Sequence, residues 1–592
     1  MSRQGIWGLC FSGAGDGLLT RLVEAGTLDG RLEPVGLDER WASAEAFVVV
    51  GACGLVVRRI APLLRGKGED PAVVVLDPLG RFAIPLLGAH GAGADRLSER
   101  VAAVLGSQVV ATGHSSGQGL LALDSFGRAW GWRPGPGGDW RGLMQRAARA
   151  GSAIQVCQEA GTPRWRELEA SQTLDLSGAG GKQPAAAEPD LRITARRGEG
   201  CRWHPPCLWL GIGCERDTSL AVLEQLVEDQ LQRLELAPEA VAGLASIDRK
   251  ADEPALLALA ERRQWPLRWF PAAELAAVAV PNPSAVVAAE MGTASVAEAA
   301  ALLAGGPGAT LLAPKQVLRG QAPDRGAATL AIAEAAQQWA PGEGELHLVG
   351  SGPGRLDLLT PDARQALARA SVWVGYGLYL DLLEPLRRPD QLRCDGQLTQ
   401  ERARCALALE LAGQGLNVAL VSSGDSGIYA MAGLALELWL QQPAGARPGF
   451  AVHPGISALQ LAAARAGAPL MHDFCTISLS DRLTPWAVIE RRLEAAADGD
   501  FVVALYNPRS LDRDWQLGRA CTILGRGRPG STPVVLARQL GRAEETVTIH
   551  RLDALPLDRV DMLTLVLVGN STSRAEDGWM VTPRGYPGAE LS

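Results

Sequence analysis

The sequence predicts a multidomain α/β protein, and three observations support this prediction. Short apolar runs that end in glycine-rich turns recur along the chain, and amphipathic segments with helical spacing follow them. At 592 residues the chain has room for three to five domains of roughly 150 residues each. Its hydrophobic fraction of 47% and charged fraction of 21% are those of a protein with an ample core.

Charge and hydropathy restrict the classes of partner. The net charge is −8 and the chain has no block of like charges, so nucleic acid is not an expected partner. Near the first residue, no charged segment is followed by an apolar segment and a cleavage site. No apolar run reaches the length of a membrane span. We therefore expect a cytoplasmic enzyme with no membrane partner.

The first predicted α/β module covers residues 1–130. Residues 5–11, 46–50 and 71–77 are expected to form buried strands, with glycine turns and helices between them. Residues 113–117 then form a literal G-x-S-x-G, which in an α/β-hydrolase would present Ser115 as a nucleophile.

Residues 131–205 are predicted to be a middle region and linker, because 171–200 lack periodicity and are rich in Gly, Ala and polar residues. A small cluster follows, formed by Cys201, His204, Cys207 and Cys214. Its spacing fits no common zinc pattern, so we expect loop and core cysteines and no metal.

The next module, residues 206–338, opens with the strand and glycine turn at 208–219 and a helix at 219–235. Basic charge in this chain is almost all arginine. Only four of the 57 basic residues are lysine, namely Lys67, Lys182, Lys250 and Lys315. A lysine kept in such a background suggests a need for a compact ammonium, although chance explains it equally well.

The segment from His347 to Thr360 begins the last part of the chain. Three apolar residues run into Gly350-Ser351-Gly352-Pro353-Gly354, and Thr360 with Pro361 predicts the N-cap and first turn of a helix. The loop has no P-loop Lys, its glycines do not follow G-x-G-x-x-G, and proline removes one N–H. It is shaped for an uncharged or cationic ligand, or it is a tight turn without a ligand.

This loop and further motifs resemble the tetrapyrrole methylases, which use S-adenosylmethionine (SAM). The match includes VGYGLYLDLL at 374–383, ALVSSGDSGIYAMAGLALEL at 419–438, the stretch 453–493 and VVALYNPRS at 502–510. Within the family the sequence is similar to the precorrin-3B C(17)-methyltransferases of cobalamin synthesis. The resemblance implies two α/β lobes, at 345–472 and 473–592, and a homodimer formed through this half.

The resemblance also implies site residues. SAM contacts are expected at Pro353, Gly424, Asp425, Ile428, Ser457, Ala458, Tyr506 and Asn507, with positions near Ala537 and Gly569 less well matched. Asp425 suits the cationic amino acid end of SAM, although an N-cap role is the alternative.

The acceptor implied by the family is a macrocycle rich in carboxylates. No lysine follows Lys315, so arginine must grip them, with Arg482, Arg509 and Arg584 as candidates or as surface charges. Ring contraction requires proton transfers, for which His472 and Asp473 are candidates. The alternative for that pair is a cap at the lobe junction.

The amino-terminal half resembles the cobalt-precorrin-5A hydrolases, which open a lactone ring. In the first module Gly88-Ala89-His90 stands where the family has Ser-Gly-His; the second resembling module includes Arg216, Thr218, Lys250, Asp252, Glu253 and Lys315. Our preferred hypothesis is water activated by His90, with Lys67, Lys250 or Lys315 holding carboxylates or the oxyanion. The alternative for His90 is a turn residue without a catalytic role.

The sequence thus predicts a bifunctional enzyme, a lactone hydrolase followed by a SAM-dependent methylase. Two alternatives stay open. The first half is a non-catalytic scaffold that recruits partners, or it is an esterase that uses Ser115. Against the esterase, only His204 follows Ser115 within this half.

Overall fold

The computed structural model shows a series of α/β sheets joined by short connections. It describes residues 5–11, 13–66, 69–89, 92–110, 121–149, 152–168, 173–176, 189–397, 400–510 and 513–587. Five sheets of five or six strands and one sheet of three strands follow one another along the chain. The chain is therefore a multidomain α/β protein, as the sequence predicted.

The first sheet is covered by helices on both faces. Its elements are β1 (Ile6–Cys10), β2 (Gly30–Arg31), β3 (Ala46–Val50), β4 (Ala72–Leu76), β5 (Phe82–Leu87) and β6 (Gln108–Val109), with α1 (Asp16–Glu24), α2 (Gly36–Arg40), α3 (Cys53–Ile60) and α4 (Ala94–Leu105). The order is β2-β1-β3-β4-β5-β6, parallel except between β4 and β5. Val48 packs with α1 and α4, whereas its neighbour Phe47 packs with α2 and α3. This alternation follows from the two-residue period of a strand.

The middle region is an ordered sheet with a tryptophan core. Its elements are β7 (Arg133–Pro134), β8 (Ala153–Gln158), β9 (Thr173–Asp175), β10 (Leu191–Ile193) and β11 (Cys201–His204), with α5 (Phe126–Ala129) and α6 (Trp140–Ala147). Trp130, Trp132, Trp165 and Trp203 are fully buried there. The linker interpretation is wrong for residues 189–200, because β10 lies between β8 and β11 and its leucine and isoleucine are buried.

One amide connects the middle region to the segments that follow it. The indole N–H of Trp132 donates to Gln338 Oε1 at 2.7 Å. The Gln338 amide in turn donates to the carbonyl oxygens of Trp130 at 3.0 Å and Gln414 at 2.9 Å. The middle sheet also shares its hydrophobic core with the parallel sheet of the carboxyl-terminal half, which contributes Leu346 to that core. The middle region is therefore packed against the carboxyl-terminal half.

The third sheet is mixed. Its elements are β12 (Leu208–Cys214), β13 (Val241–Ile247), β14 (Leu267–Phe270), β15 (Thr310–Arg319) and β16 (Ala327–Glu334), with α7 (Leu220–Arg233), α8 (Pro254–Arg263), α9 (Ala272–Ala276), α10 (Ala285–Met291) and α11 (Val296–Ala304). The order is β14-β13-β12-β16-β15, and β16 runs antiparallel to both neighbours. Gly211 of β12 lies against α11 so closely that a Cβ there would overlap the Ala297 carbonyl oxygen.

The carboxyl-terminal half begins with an all-parallel sheet. Its elements are β17 (Glu345–Gly350), β18 (Val372–Tyr376), β19 (Leu392–Gly396), β20 (Asn417–Ser422) and β21 (Gly449–His453), with α12 (Pro361–Arg369), α13 (Gly377–Leu383), α14 (Glu401–Gly413) and α15 (Ala432–Gln441). The order is β19-β18-β20-β17-β21. The predicted start of α12 is confirmed, since the Thr360 hydroxyl accepts from the Ala363 N–H at 3.1 Å.

The last part of the chain contains a largely antiparallel sheet and a small sheet of three strands. Its elements are β22 (Gly467–Ala468), β23 (Phe474–Ser478), β24 (Val502–Tyr506), β25 (Pro533–Arg538), β26 (Thr546–Arg551), β27 (Thr564–Val568), β28 (Arg574–Glu576) and β29 (Trp579–Val581), with α16 (Ala458–Ala466), α17 (Trp486–Asp498) and α18 (Gln516–Leu524). The main order is β23-β24-β27-β25-β26, and β22-β29-β28 form the small sheet.

The first module contacts the carboxyl-terminal half through a charged cluster. Asp390 accepts from Arg96 at 2.8 Å and from Arg388 at 2.9 Å. Nearby, Arg369 of α12 donates to the carbonyl oxygen of Ala25 at 2.8 Å. Burial by itself would raise the pKa of Asp390, but the two guanidiniums hold that pKa well below its usual range.

Among the described residues, no single helix is long and apolar enough to cross a membrane. The bent pair α10 and α11, at 73° to each other, passes that test only by its combined length and composition.

Candidate active site

Two glycine turns meet at the carboxyl edge of the parallel sheet. The Gly352 N–H donates to the Gly424 carbonyl oxygen at 3.1 Å, and the Gly424 N–H donates back to Gly352 at 2.8 Å. Both residues have positive φ, +69° and +66°, which glycine adopts without strain. Because β17 and β20 are adjacent parallel strands, the turns that follow them lie side by side where ligands bind in such sheets.

Asp425 ties a third loop to these two. One carboxylate oxygen accepts from the Gly427 N–H at 2.8 Å and the other accepts from the Gly455 N–H at 3.1 Å. Gly455 follows β21, and a Cβ at that position would overlap the Gly424 carbonyl oxygen. The carboxylate thus organises the loops after β20 and β21, and its charge stays at the sheet edge.

The N-terminus of α16 points into the same place, but most of its donors are used. The Ser457 hydroxyl accepts from the Gln460 N–H, and the Gln460 side chain accepts from the Ser457 N–H, forming a capping box. The Leu459 N–H donates to the hydroxyl of Tyr506 at 3.2 Å. A helix start with these donors occupied is poorly suited to a phosphate.

The space beside Gly424 fits a ligand of another kind. A Cβ there would lie 3.7 Å from Ser457 Cα and 3.9 Å from Ala458 N, in ordinary van der Waals contact. The lining groups are a carboxylate, small residues and a proline without an N–H. This set of groups fits a cationic ligand better than an anionic one, as the sequence suggested.

Tyrosines link the two lobes at this cleft. The rings of Tyr429 and Tyr506 are 5.1 Å apart, and the Tyr429 hydroxyl donates to the Thr476 carbonyl oxygen of β23 at 2.9 Å. Tyr429 and Asn507 have φ of +51° and +50°, rare for residues with side chains. Sequence reasoning missed Tyr429; an aromatic residue among the small residues of 426–432 was the available signal.

Two further predicted SAM contacts, Pro353 and Ile428, lie close to these loops. A Cβ on Gly541 of the second lobe would lie 3.1 Å from Pro353, so the glycine loop touches that lobe. Ile428 is 38% exposed, and its N–H approaches the Asp425 carbonyl oxygen at 3.4 Å. The structure therefore brings the predicted SAM contacts together at one cleft between the lobes.

The predicted catalytic pair lies at the boundary between the two lobes, immediately before β23. The side chains of His472 and Asp473 are 49% and 85% exposed, and the Asp473 N–H donates to His472 Nδ1 at 3.0 Å. Arg482 and Arg584 are exposed, whereas Arg509 donates to the Leu557 carbonyl oxygen at 2.8 Å. The hydrogen bonds of the described chain do not connect these five residues to the glycine turns.

In the amino-terminal half, His90, Lys67 and Ser115 lie outside the described residues. Lys250 is buried and forms an ion pair with Glu253 at 3.3 Å, with side chains 7% and 1% exposed.

Glu253 also accepts from the Asp217 N–H at 3.0 Å, so its carboxylate joins the loops after β12 and β13. The Lys315 ammonium donates to the Asn282 carbonyl oxygen at 2.6 Å. Lys250, after β13, therefore contacts a carboxylate, whereas Lys315 of β15 contacts a carbonyl oxygen.

The cysteine cluster is divided between two cores. Cys201 belongs to the tryptophan core and Cys207 to the core of the third sheet, and burial raises the pKa of Cys214 to about 11. The His204 ring contacts the Thr194 carbonyl oxygen at 2.6 Å through Nδ1. Within the described ranges, no group of three or more His, Cys, Asp or Glu could hold a metal ion.

Comparison with known proteins finds a matching family for each half of the chain. The model for "Tetrapyrrole (Corrin/Porphyrin) Methylases" matches residues 345–556. The models for "Cobalamin synthesis G N-terminal" and "Cobalamin synthesis G C-terminus" match residues 36–116 and 208–333. The fold and these matches define a two-part enzyme of cobalamin synthesis. The chain belongs to the tetrapyrrole methylase family, fused behind the two modules of a cobalamin synthesis G protein.

Individual relatives cover the second part of the chain. A "Probable cobalt-factor III C(17)-methyltransferase" of Salmonella typhimurium (strain LT2) is 46% identical over 241 residues, 41% of this chain and 99% of that protein. A "Precorrin-3B C(17)-methyltransferase" of Sinorhizobium sp is 43% identical over 252 residues, 42% of this chain and 98% of that protein. The solved structure of the methyltransferase CobJ is 40% identical, covers 40% of this chain and 100% of its own, and aligns with a TM-score of 0.39.

Proposed function

We propose that residues 345–592 transfer a methyl group from SAM to C17 of precorrin-3B or cobalt-factor III, with contraction of the ring. The observation that carries this proposal is that two C(17)-methyltransferases match along 98% and 99% of their lengths. The cleft supports it, because three loops from adjacent parallel strands are bonded into one rigid edge that suits a cationic ligand.

The residues present fit SAM, which supplies a methyl group on a positively charged sulfur. The proposed contacts are Pro353, Gly424, Asp425, Ile428, Ser457, Ala458, Tyr506 and Asn507. In this arrangement Asp425 attracts the cation, and the backbone of the glycine turns allows close approach. Burial raises the pKa of Tyr506, so its hydroxyl stays protonated as it bonds to α16. Alignment in a cleft that excludes water accounts for most of the expected acceleration.

Acceptor binding and proton transfer complete the proposed methylase. Arg482, Arg509 and Arg584 are proposed to grip carboxylates of the macrocycle. His472 and Asp473 are proposed to carry protons, and their exposure would let them exchange protons with solvent. We further propose a homodimer formed through this half in a cytoplasmic setting; Leu436 and Leu440, one turn apart on α15, are 40% and 52% exposed.

The first half is proposed to open the lactone of cobalt-precorrin-5A and release acetaldehyde. Its two cobalamin synthesis G modules support this assignment. Water activated by His90 is the proposed nucleophile, with Lys67 or Lys315 holding the oxyanion or a carboxylate. The role proposed for Lys250 is harder to sustain, because its charge is already balanced by Glu253 in a buried pair.

One assay tests the methylase. The full-length chain is incubated with SAM and either cobalt-factor III or precorrin-3B, and the products are analysed by mass and absorption spectra. A methylated, ring-contracted product is expected from at least one acceptor. If both acceptors are returned unchanged while SAM binds, the C17 assignment is wrong.

A second assay tests the hydrolase. Changing His90 to Asn should lower acetaldehyde release from cobalt-precorrin-5A by at least about a hundredfold, the usual contribution of general base catalysis. Methylation by the same variant is the control and should stay normal. Release at the normal rate would remove His90 from the mechanism. If the unaltered chain releases none, the scaffold alternative is favoured.

A further inference from the structure

The junction between the methylase lobes contains Arg542, which forms no ion pair with the described residues. Arg542 belongs to the turn at 539–545 that follows β25 of the second lobe. A Cβ on Gly354 would lie 3.0 Å from the Gly541 carbonyl oxygen and 3.2 Å from Arg542 Cγ. The Arg542 side chain therefore begins directly against the glycine loop of the first lobe, and the residue is half-buried.

The carboxylates nearest to Arg542 in sequence accept hydrogen bonds from other groups. Glu545 accepts from the Gly541 N–H and from Arg465, both at 2.7 Å, and Glu544 accepts from the side-chain amide of Gln539 at 2.8 Å. Across the described residues, neither a hydrogen bond nor an ion pair is recorded for the Arg542 guanidinium. A half-buried cation left unpaired in this way favours an incoming anion.

Two tyrosines belong to α13 and its N-cap, and α13 touches the same junction. Leu382 of α13 also lies against Gly354, at 3.4 Å from the position of a Cβ, and Tyr379 is one turn earlier. The rings of Tyr379 and Tyr376 are 5.2 Å apart and nearly perpendicular. No hydrogen bond to either hydroxyl is recorded in the part of the chain that the structure describes.

The electrostatic surroundings of Tyr379 are positive. Burial raises the pKa of Tyr379 and the positive charge of Arg542 acts to lower it, so the hydroxyl stays neutral and able to donate. Arg404 adds positive charge nearby. Its side chain is 8% exposed and is held by Glu401, the Gln397 carbonyl oxygen and the Met431 sulfur.

The distribution of tyrosine supports a role at this place. The chain has only five tyrosines, and all of them lie after residue 375. Four of them form two ring pairs at strand ends or just after them, Tyr376 with Tyr379 and Tyr429 with Tyr506. A residue type so sparse elsewhere is concentrated where hydroxyl donors would meet a ligand.

We propose that Arg542, Tyr379 and Tyr376 form a carboxylate-binding subsite that anchors one acidic side chain of the macrocyclic acceptor at the lobe junction. The proposal rests on the proposed methyltransferase function and names part of its acceptor site. The guanidinium offers two parallel N–H donors, and the tyrosine hydroxyls offer further donors. Because the subsite touches Pro353–Gly354, a carboxylate held here fixes the macrocycle relative to the methyl donor.

The test uses the full-length chain and uroporphyrin III, a stable macrocycle bearing carboxylates, as the binding probe. Changing Arg542 to Met should weaken uroporphyrin binding about ten- to a hundredfold in a fluorescence titration, the usual effect of losing a charged hydrogen-bond partner. Tyr379→Phe should weaken it less, by about threefold to tenfold. Arg492→Met, an exposed arginine of α17, is the matched control and should bind normally.

Further readouts separate this subsite from a structural role. The Arg542→Met variant should bind SAM with unchanged affinity by calorimetry, and its KM for the tetrapyrrole should rise more than its kcat falls. Arg542→Lys should recover part of the affinity, because it keeps the charge but not the paired donors. If the unaltered chain methylates no acceptor, the proposed function fails, but the uroporphyrin titration still decides the subsite. Unchanged uroporphyrin affinity, or lost SAM affinity, in Arg542→Met overturns the proposal.

Discussion

The loops after β20 and β13 each contain an acidic residue, but they use its charge differently. Asp425 follows Gly424 in the loop after β20, and Glu253 ends the loop after β13. Asp425 is satisfied by two backbone N–H groups and keeps its charge at an open cleft. In the other half Glu253 receives Lys250 inside the protein. A charged residue near a strand end therefore indicates a binding site only when no opposite charge has already been brought to it.

The largest expected effect concerns the buried pair. Changing Lys250 to Met leaves the Glu253 carboxylate buried without its partner, which should destabilise the third sheet by about 3 kcal/mol. Amide hydrogen exchange in β12 and β13 would report the loss, and exchange in β17 should not change. The double variant Lys250→Met with Glu253→Gln is the control and should regain most of the protection. Unchanged exchange in the single variant would mean that the pair is not structural.

The next effect tests the packed loops of the methylase. Changing Gly455 to Ala forces a Cβ against the Gly424 carbonyl oxygen, so the three loops must separate. Overpacking of this kind costs about 1–3 kcal/mol, and SAM affinity measured by calorimetry should fall by about ten- to a hundredfold. Gly433→Ala in α15, where a Cβ would meet nothing within 4 Å, should leave the affinity unchanged. Equal behaviour of the two variants would contradict the closed-loop description.

The smallest effect concerns the contact between the first module and the methylase, and it depends on pH. The folded-state pKa of Asp390 is held below its unfolded value, so its stabilisation is complete above about pH 4 and is lost as the pH falls below that. The protection factors of amides in α4 and α12, which correct for the slower intrinsic exchange in acid, should therefore fall between pH 5 and pH 3, by a factor of about ten. In Asp390→Asn the contact should already be weak at neutral pH and nearly independent of pH. A variant that keeps the full acid dependence would assign that dependence to other groups.

Local patterns predicted the first lobe of the methylase well. The apolar run into glycine, the Thr360 cap and Pro361 each act within a few residues, so β17 and α12 could be placed from the sequence. The middle region was harder to predict. The strand Leu191–Ile193 has three residues and little periodicity, and its partners in β8 are 35 residues away along the chain. Its stability comes from the tryptophan core and not from its own sequence.

The residues of the candidate site were also only partly predictable from the sequence. Family resemblance supplied Gly424, Asp425 and Ser457, and their hydrogen bonds bring them together. It did not supply Tyr429, whose positive φ is set by the loop around it. It also did not supply Arg542, which has no ion pair among the described residues because Glu544 and Glu545 bond to other groups. Such features follow from competition among neighbours, which a linear pattern does not record.

The sequence by itself determined the order of the modules, the strand-turn-helix units and the residue types available at each turn, because these depend on short-range periodicity and turn chemistry. Only the tertiary structure decided which charges remain free. It paired Lys250 with Glu253, tied Asp425 to two loops and placed Arg542 against the glycine loop of the other lobe. The physical reason is that an electrostatic role depends on distance and burial, and both are set by parts of the chain that are far apart in sequence.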